Sequence, residues 1–386
     1  MKRIPIPTTL RIRRPIGRTL AWSCLWLILL AVLAEVCCRT SRLRPYLPEP
    51  SVGSGHDQLD VKLNLLDAYV REHQGIDCIF MGSSMVHRGF DPAAFEEGFR
   101  QRTGQSLRCF NFGLRGVADS CTAPLAQILC DTYHPRMVIF GISPGLLDPR
   151  AGVNAERSLL SNPWFQYHSG VFSVDGWLID HSTAFRMFLG WRRRHAVRDA
   201  LPGTRKPREP RIEPNGFGYK GRAQDSRLSD LTLARRDRVL KKYFKLSGFQ
   251  VSDAHLVSLG QVVALRDRTR VILVEMPIQE LLINFSVFGR DKYYGALAQM
   301  EQVARRHGLT ILRTTPFTSI GEEGWFDFHH LNHVGARLFS LWLGQRIGSM
   351  QAGRDPAPGL PHKEPAFVPA TGTSASPDAA GLAPIR

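Results

Sequence analysis

The sequence predicts an α/β three-layer sandwich with a mainly parallel sheet, preceded by one N-terminal transmembrane helix. Three observations carry this. Short apolar runs alternate with longer stretches of helical period, so successive strands need the crossover connections of a parallel sheet. The runs are apolar throughout rather than in-out alternating, which suits strands buried on both faces. Near the N-terminus, Thr19 to Cys38 carries no charge before Glu35, about the length that crosses a bilayer as a helix.

Basic residues (Lys2, Arg3, Arg11, Arg13, Arg14 and Arg18) are denser before that stretch than after it. Residues 1–18 are therefore expected in the cytoplasm, 19–38 as an anchor, and the remainder outside. A cleaved signal peptide competes, because Val32-Leu33-Ala34 offers small residues to a peptidase. Both readings export the domain. Lipoprotein processing fits poorly, since Cys37 follows Val36 and Cys38 follows Cys37. Residues 39–58, rich in Pro, Gly and Ser, read as a stalk.

Beyond the stalk, VKLNLLDAYVREH (Val61 to His73) has helical spacing and DCIFMG (Asp77 to Gly82) is a buried-strand run closed by glycine. DPAAFEEGFRQR follows as a helix, with Asp91 as cap and Pro92 in its first turn. LRCFNFG and RMVIFG (Arg136 to Gly141) are the next strands, separated by the helix CTAPLAQILCDTY. After a long interruption the alternation resumes: VSLGQVVALRD as helix, VILVEMP (Val271 to Pro277) as strand, YYGALAQMEQVARRHG as helix, LTIL as strand and HVGARLFSLWLGQRI as helix. One domain is expected over 59–348, interrupted by an insertion at 148–250 and followed by a disordered tail at 351–386, where Pro, Ala, Gly, Ser and Thr dominate. With 386 residues, 43% of them hydrophobic, the chain has material for one substantial core.

The insertion holds short aromatic segments (NPWFQYH, GWLID, AFRMFLGW) and a basic stretch with WRRRH, TRKPREPR and VLKKYFK. It reads as a mobile, solvated basic loop, the competing reading being a site for acidic glycan or lipid head groups. The net charge of +16 is thus largely local. No recognition helix, zinc finger or aromatic RNA-binding pattern accompanies it, so nucleic acid is not expected as a partner. None of the seven cysteines forms a C-x-x-C pair. Cys78 and Cys109 sit in strand-like runs as small buried hydrophobes, with a disulfide as the alternative. No metal or cofactor is expected.

Two places carry chemistry. Gly82-Ser83-Ser84 follows the first core strand, where a serine would sit at the rim of the ligand crevice beside backbone N–H groups. The plain alternative is a turn and a helix cap. Far downstream, in WFDFHHLNHVGARLF, Asp327 and His330 stand just before the last helix. A serine hydroxyl needs an imidazole to take its proton, and the imidazole needs a carboxylate to fix its tautomer. Here the alternatives are a helix-capping Asp with a surface histidine, or a metal site on His329, His330 and His333.

A serine after the first strand and D-x-x-H after the last resemble the SGNH hydrolases, the superfamily of GDSL-type lipases and esterases with a flavodoxin-like fold. NFGLRG, Asn111 to Gly116, is similar to the block that carries their oxyanion-hole glycine. The resemblance implies Ser84 as nucleophile, His330 as general base and Asp327 as its partner, with the backbone N–H groups of Ser84 and Gly116 facing the oxyanion. Ser83 replaces the aspartate of G-D-S, as in membrane-anchored SGNH proteins of bacterial cell-surface polysaccharide modification, a branch that the run to Asn332 and VGARLF also resembles. In FGISPG, Ser143 stands where the family has an oxyanion asparagine. His87, Arg88 and Asn332 are candidates for substrate contact.

The resemblance implies a single-pass protein of the bacterial inner membrane with its domain on the periplasmic side. It implies a serine esterase or O-acyltransferase moving an acyl group, acetyl by analogy, on a cell-envelope glycan. Its partners would be the glycan or acyl donor and a membrane-bound acyltransferase. An inactive SGNH-like glycan-binding or assembly protein is the competing function.

Overall fold

The computed structural model describes residues 13–40, 42–56, 58–117, 119–146, 158–198, 211–219, 227, 249–250, 253–284, 289–314 and 320–353. Residues 1–12 of the basic N-terminus, the tail beyond 353 and residues 199–210, 220–226 and 228–248 of the basic stretch lie outside them.

In chain order the elements are α1 (Arg13–Arg39), α2 (Leu59–His73), β1 (Cys78–Met81), α3 (Ser84–Gly89), α4 (Pro92–Thr103), β2 (Cys109–Asn111), α5 (Asp119–Tyr133), β3 (Met137–Ile142) and β4 (Gly145–Leu146). Then come α6 (Pro163–His168), α7 (Val174–His181), α8 (Thr183–Arg198), β5 (Arg211–Ile212), β6 (Gly218–Tyr219), β7 (Phe249–Gln250), α9 (Asp253–Ala264), β8 (Arg270–Glu275), α10 (Glu280–Ile283), α11 (Arg290–Arg306), β9 (Ile311–Leu312) and α12 (His333–Gln351).

Five strands form the central sheet in the order β2-β1-β3-β8-β9, and every pairing is parallel. β1 and β3 are buried along their whole length, as runs without alternation require. The crossover from β1 to β2 runs opposite to the later ones. Right-handed connections therefore put α4 on one face of the sheet and α5, α9 and α11 on the other, consistent with α9 packing on both α5 and α11. The crevice of such a sheet opens where the direction reverses, at the carboxyl ends of β1 and β3.

α4 and α12 pack together on the first face. Their contact is backbone to backbone: a Cβ on Gly98 would stand 2.1 Å from the carbonyl oxygen of Leu341, and one on Gly344 would stand 2.2 Å from that of Phe95. The Phe90 ring stacks on Phe80 of β1 at 4.7 Å and on Phe339 of α12 at 5.6 Å. The Asp91 N–H donates to Ser340 Oγ at 2.8 Å, while the Asp91 carboxylate caps α4 by accepting from the N–H groups of Ala93 and Ala94. The chain after β1 is thus tied to the last helix.

Two expectations need correction. Residues 50–54, placed in a stalk, belong to the body: Asp60 in the first turn of α2 accepts from Ser51 Oγ at 2.6 Å and from the Val52 N–H at 2.8 Å, and Val52 is buried. Pro, Gly and Ser serve ordered turns as readily as linkers. In the insertion, the aromatic segments form α6, α7 and α8, and residues 211–219 form a hairpin packed on the domain rather than a mobile loop. The Asn111 N–H donates to the Asn215 carbonyl at 2.8 Å, so the hairpin covers the edge of β2. Cys78 and Cys109 face each other across β1 and β2 as buried free thiols.

Gly17–Arg39 of α1 is long and apolar enough to cross a membrane. Its 23 residues span about 35 Å at 1.5 Å per residue, against a hydrocarbon layer of about 30 Å.

Candidate active site

β1 delivers its chain to the crevice and stops at Gly82. The stop is enforced, because Gly82 has φ of +147° and a Cβ there would stand 2.5 Å from Val86 and 2.8 Å from the Gly141 carbonyl oxygen. The two serines that follow divide the work. Ser83 caps α3, its hydroxyl accepting from the Met85 N–H at 3.4 Å. Ser84, the first residue of α3, has its Oγ 2.8 Å from His330 Nε2.

His330 comes from a tight loop before α12. Trp325 and Leu331 form an antiparallel bridge, and the Phe326 N–H donates to the His330 carbonyl at 2.9 Å. Inside this loop Asp327 Oδ1 accepts from the N–H groups of His329 at 3.0 Å and His330 at 2.8 Å, a local turn that an Asp side chain is suited to make. Asp327 Oδ2 lies 2.9 Å from His330 Nδ1. A carboxylate on Nδ1 leaves Nε2 as the acceptor for the Ser84 hydroxyl.

Burial alone would raise the Asp327 carboxyl, but the imidazoles of His329 and His330 and the hydrogen bonds from both residues hold it well below the usual carboxylate range. The neighbouring His329 is pushed down to about 3 by burial and by His330, despite Asp327. It is therefore neutral at pH 7. Asp327, His329 and His330 also offer ligand atoms within 4.8 Å of one another. A cation there would compete with the Asp327–His330 hydrogen bond for the same atoms.

Asn332, a candidate for substrate contact, is buried and committed to structure. Its Oδ1 accepts from the N–H groups of Val334 and Gly335, capping α12, and its Nδ2 donates to the Glu323 carbonyl at 2.6 Å. The cap that sequence reasoning offered to Asp327 thus falls to Asn332. His87 and Arg88 are neither surface residues nor exposed to a ligand: His87 is 0% accessible and Arg88 7%. Arg88 lays its guanidinium 3.9 Å over the Phe326 ring, bracing α3 against the histidine loop.

Behind α3 lies a buried polar cluster that the sequence reading missed. Lys62 of α2 is fully buried, and its Nζ donates to the Asn111 carbonyl at 2.8 Å. The Asn111 Nδ2 donates to the carbonyls of Val86 at 2.8 Å and Phe90 at 2.6 Å, holding α3 from below. His87 Nε2 lies 3.3 Å from Gln58 Nε2, and its ring packs so closely on Gly218 of the hairpin that a Cβ there would stand 1.9 Å from it. Burial pushes both Lys62 and His87 toward their neutral forms, and the nearby cations push His87 further. The sequence did hold a signal for Lys62, which shares the helical stripe of Leu59, Leu63 and Leu66.

Gly116 lies in the turn after β2 with φ of +67°. That turn is braced from outside: the Arg115 N–H donates to Gln58 Oε1 at 2.8 Å, and the Arg115 carbonyl lies 3.0 Å from His56 Nε2. Ser143 is partly buried just past β3. Ser84, the Gly116 turn and Ser143 follow the carboxyl ends of β1, β2 and β3 respectively. A cavity of about 550 Å³ lined by Arg44, Asn64, Arg71 and Gly190 lies apart from these residues.

No family model matches the chain, and no curated protein matches it. Among solved structures it is similar to a lipase/acylhydrolase from Enterococcus faecalis, with 10% identity over 71% of this chain and 96% of that one and a TM-score of 0.33. It is also similar to a gut microbial diltiazem-metabolizing enzyme, with 10% identity over 70% of this chain and 46% of that one and a TM-score of 0.29. Similarity at this level carries no reaction, so the chemistry rests on the geometry of Ser84, His330 and Asp327.

Proposed function

We propose that this chain is a membrane-anchored serine hydrolase or acyltransferase of the SGNH type, acting on acyl esters, acetyl above all, of a cell-envelope glycan. The observation that carries the reading is the continuous hydrogen-bonded series from Ser84 Oγ through His330 to Asp327, at 2.8 and 2.9 Å. In this reading His330 Nε2 takes the Ser84 proton as Oγ bonds to the ester carbonyl carbon. The resulting oxyanion faces the N–H groups of Ser84 and Gly116, with the Ser143 hydroxyl as a further donor. Collapse breaks the ester bond, and the leaving alkoxide receives the proton from His330. An acyl-serine remains. Water or a sugar hydroxyl, deprotonated by His330, then attacks it and restores Ser84. Asp327 stays ionised throughout and stabilises the imidazolium.

The acidic-poor, basic N-terminal flank of α1 supports a single-pass orientation in the inner membrane, with the domain on the periplasmic side. Glycan as acceptor and a membrane-bound acyltransferase as partner rest on that placement and on the family resemblance. The test is a fluorophosphonate probe on the full chain in detergent, followed by digestion and mass spectrometry. Labelling at Ser84 that vanishes in His330→Ala is expected. A folded, unlabelled protein would instead favour the inactive glycan-binding reading. An activated acetyl ester supplied with and without oligosaccharide then separates transfer from hydrolysis by the mass of the product.

A further inference from the structure

Glu35 is an acid inside the apolar stretch of α1, a costly place for a charge without partners. Its partners come from the insertion. Glu35 Oε2 accepts from Ser182 Oγ at 2.8 Å and from the Ala184 N–H at 3.1 Å, and Oε1 accepts from the Thr183 N–H at 2.9 Å. One turn on, Arg39 Nε donates back to Glu35 at 2.7 Å while its other arm donates to the His181 carbonyl at 3.0 Å. An anion thus meets the N-terminus of α8 and a cation the C-terminus of α7, each the favourable pairing with a helix dipole. The α7–α8 corner is clamped to the end of the apolar helix.

That corner carries a group of exposed apolar side chains. Phe172 is 71% exposed and Trp177 44%, and Val171, Val174, Phe188 and Trp191 are exposed beside them in sequence. A series of ring contacts joins them to the clamp: Phe172 to Tyr167 at 6.5 Å, Tyr167 to His181 at 5.9 Å, and Trp177 stacked on His181 at 5.1 Å. His181 is the residue whose carbonyl receives Arg39. Glu35 precedes Arg39 by about 6 Å along the helix axis, so in a helix whose membrane span ends at Arg39 the clamp would fall within the head-group layer, roughly 5–8 Å deep on each side of the hydrocarbon.

We propose that α7, α8 and the turn before α7 form a membrane-interface platform, with Phe172 and Trp177 seated in the head-group layer of the bilayer that α1 crosses. The occupant is lipid. Tryptophan suits this layer because its ring is amphipathic, phenylalanine supplies the apolar face of interfacial segments, and the surface is continuous with the helix that is long and apolar enough to span the bilayer. The proposal rests on α1 spanning a bilayer. Its consequence is that the domain is held in one orientation to the membrane surface rather than swinging on a tether.

The experiment places p-benzoylphenylalanine at Phe172, Trp177, Leu29 of α1 or Leu338 of α12, one position at a time in the full chain. Each protein is reconstituted in nanodiscs of phosphatidylethanolamine and phosphatidylglycerol and irradiated, and its peptides are weighed for phospholipid adducts. Adducts at 172 and 177 several-fold above those at 338, and comparable to those at 29, are expected. Adducts at 29 with none above background at 172 and 177 overturn the platform while leaving the anchor standing. Cross-links from 172 or 177 to a second copy of the chain overturn it as well, and failure at all three removes the anchor on which it rests. Glu35→Ala added to the 172 and 177 proteins is expected to lower their adducts while those at 29 persist; unchanged labelling overturns the clamp.

Discussion

Two histidines flank the Ser84 turn, and they live in opposite environments. His330 meets a carboxylate at 2.9 Å on one nitrogen and a hydroxyl at 2.8 Å on the other. His87, three residues after the serine, is fully buried beside Lys62, with one ring nitrogen 3.3 Å from the Gln58 amide and its ring pressed on the backbone of a hairpin. In the proposed reaction one gains and returns a proton. The other is held neutral by burial and by surrounding cations. An imidazole near a nucleophile is therefore not in itself a base: the facing carboxylate makes the difference.

The comparison breaks first at the reacting residues. Ser84→Ala or His330→Ala should lower turnover of an activated acetyl ester by about 10³-fold or more, with thermal unfolding changed little. Asp327→Asn should keep the loop, because an amide oxygen still accepts from the backbone. It should nonetheless cost on the order of 10²- to 10⁴-fold in kcat through the wrong tautomer. If Asp327→Asn retains near-native kcat, the carboxylate is not what separates the two histidines.

Smaller effects sharpen the contrast through pH. The unfolded chain protonates His329 near 6.5 whereas the fold resists until about 3, so stability should fall as pH drops through that window. The slope is at most about 1.4 kcal/mol per pH unit. Denaturant midpoints between pH 7 and 4.5 should flatten in His329→Asn. Asp327, held low, adds stability above the usual carboxylate range that is lost below it, so its part of the profile should persist. Lys62 works in the alkaline direction: its folded pKa lies below that of the unfolded chain, so stability should climb as pH rises toward 10. Lys62→Met should abolish the climb.

The smallest expected change in rate belongs to His87→Asn. It should lower stability by about 1–3 kcal/mol through lost packing and a disturbed polar cluster. Its kcat per folded molecule should stay within roughly ten-fold of the parent, far from the loss in a triad variant. A collapse of kcat as deep as that of His330→Ala, in protein folded by circular dichroism, would erase the distinction between the two histidines.

Much of the frame was legible before any coordinates. Strand runs without alternation, three of them closed by glycine and all separated by helical stretches, are the physical signature of a parallel sheet, and all five strands of the sheet were in those runs. Ser84, Asp327 and His330 stood out because their residue types and their places at strand exits agree with one chemistry. What escaped was tertiary. Lys62 was passed over because a lysine inside an apolar stripe is rare, and Asn332 looked like a ligand contact although an Asn just before a helix is a cap first. The Asn215-Gly216 pair, a strong hairpin signal, was masked by the arginines and prolines around it. His87 and Arg88 looked exposed because α3 starts at the crevice, and only the packing of Gly218 and Phe326 against them shows otherwise.

The glycine contacts between α4 and α12 have a mechanical consequence. One helix follows the serine turn and the other follows the imidazole loop, so in the proposed reaction the gap between the two helices bears on the distance between Ser84 and His330. A single methyl at position 344 would act as a wedge, prising the two helices apart while leaving every reacting group chemically intact. The register of this site is kept by the absence of side chains at a seam remote from it.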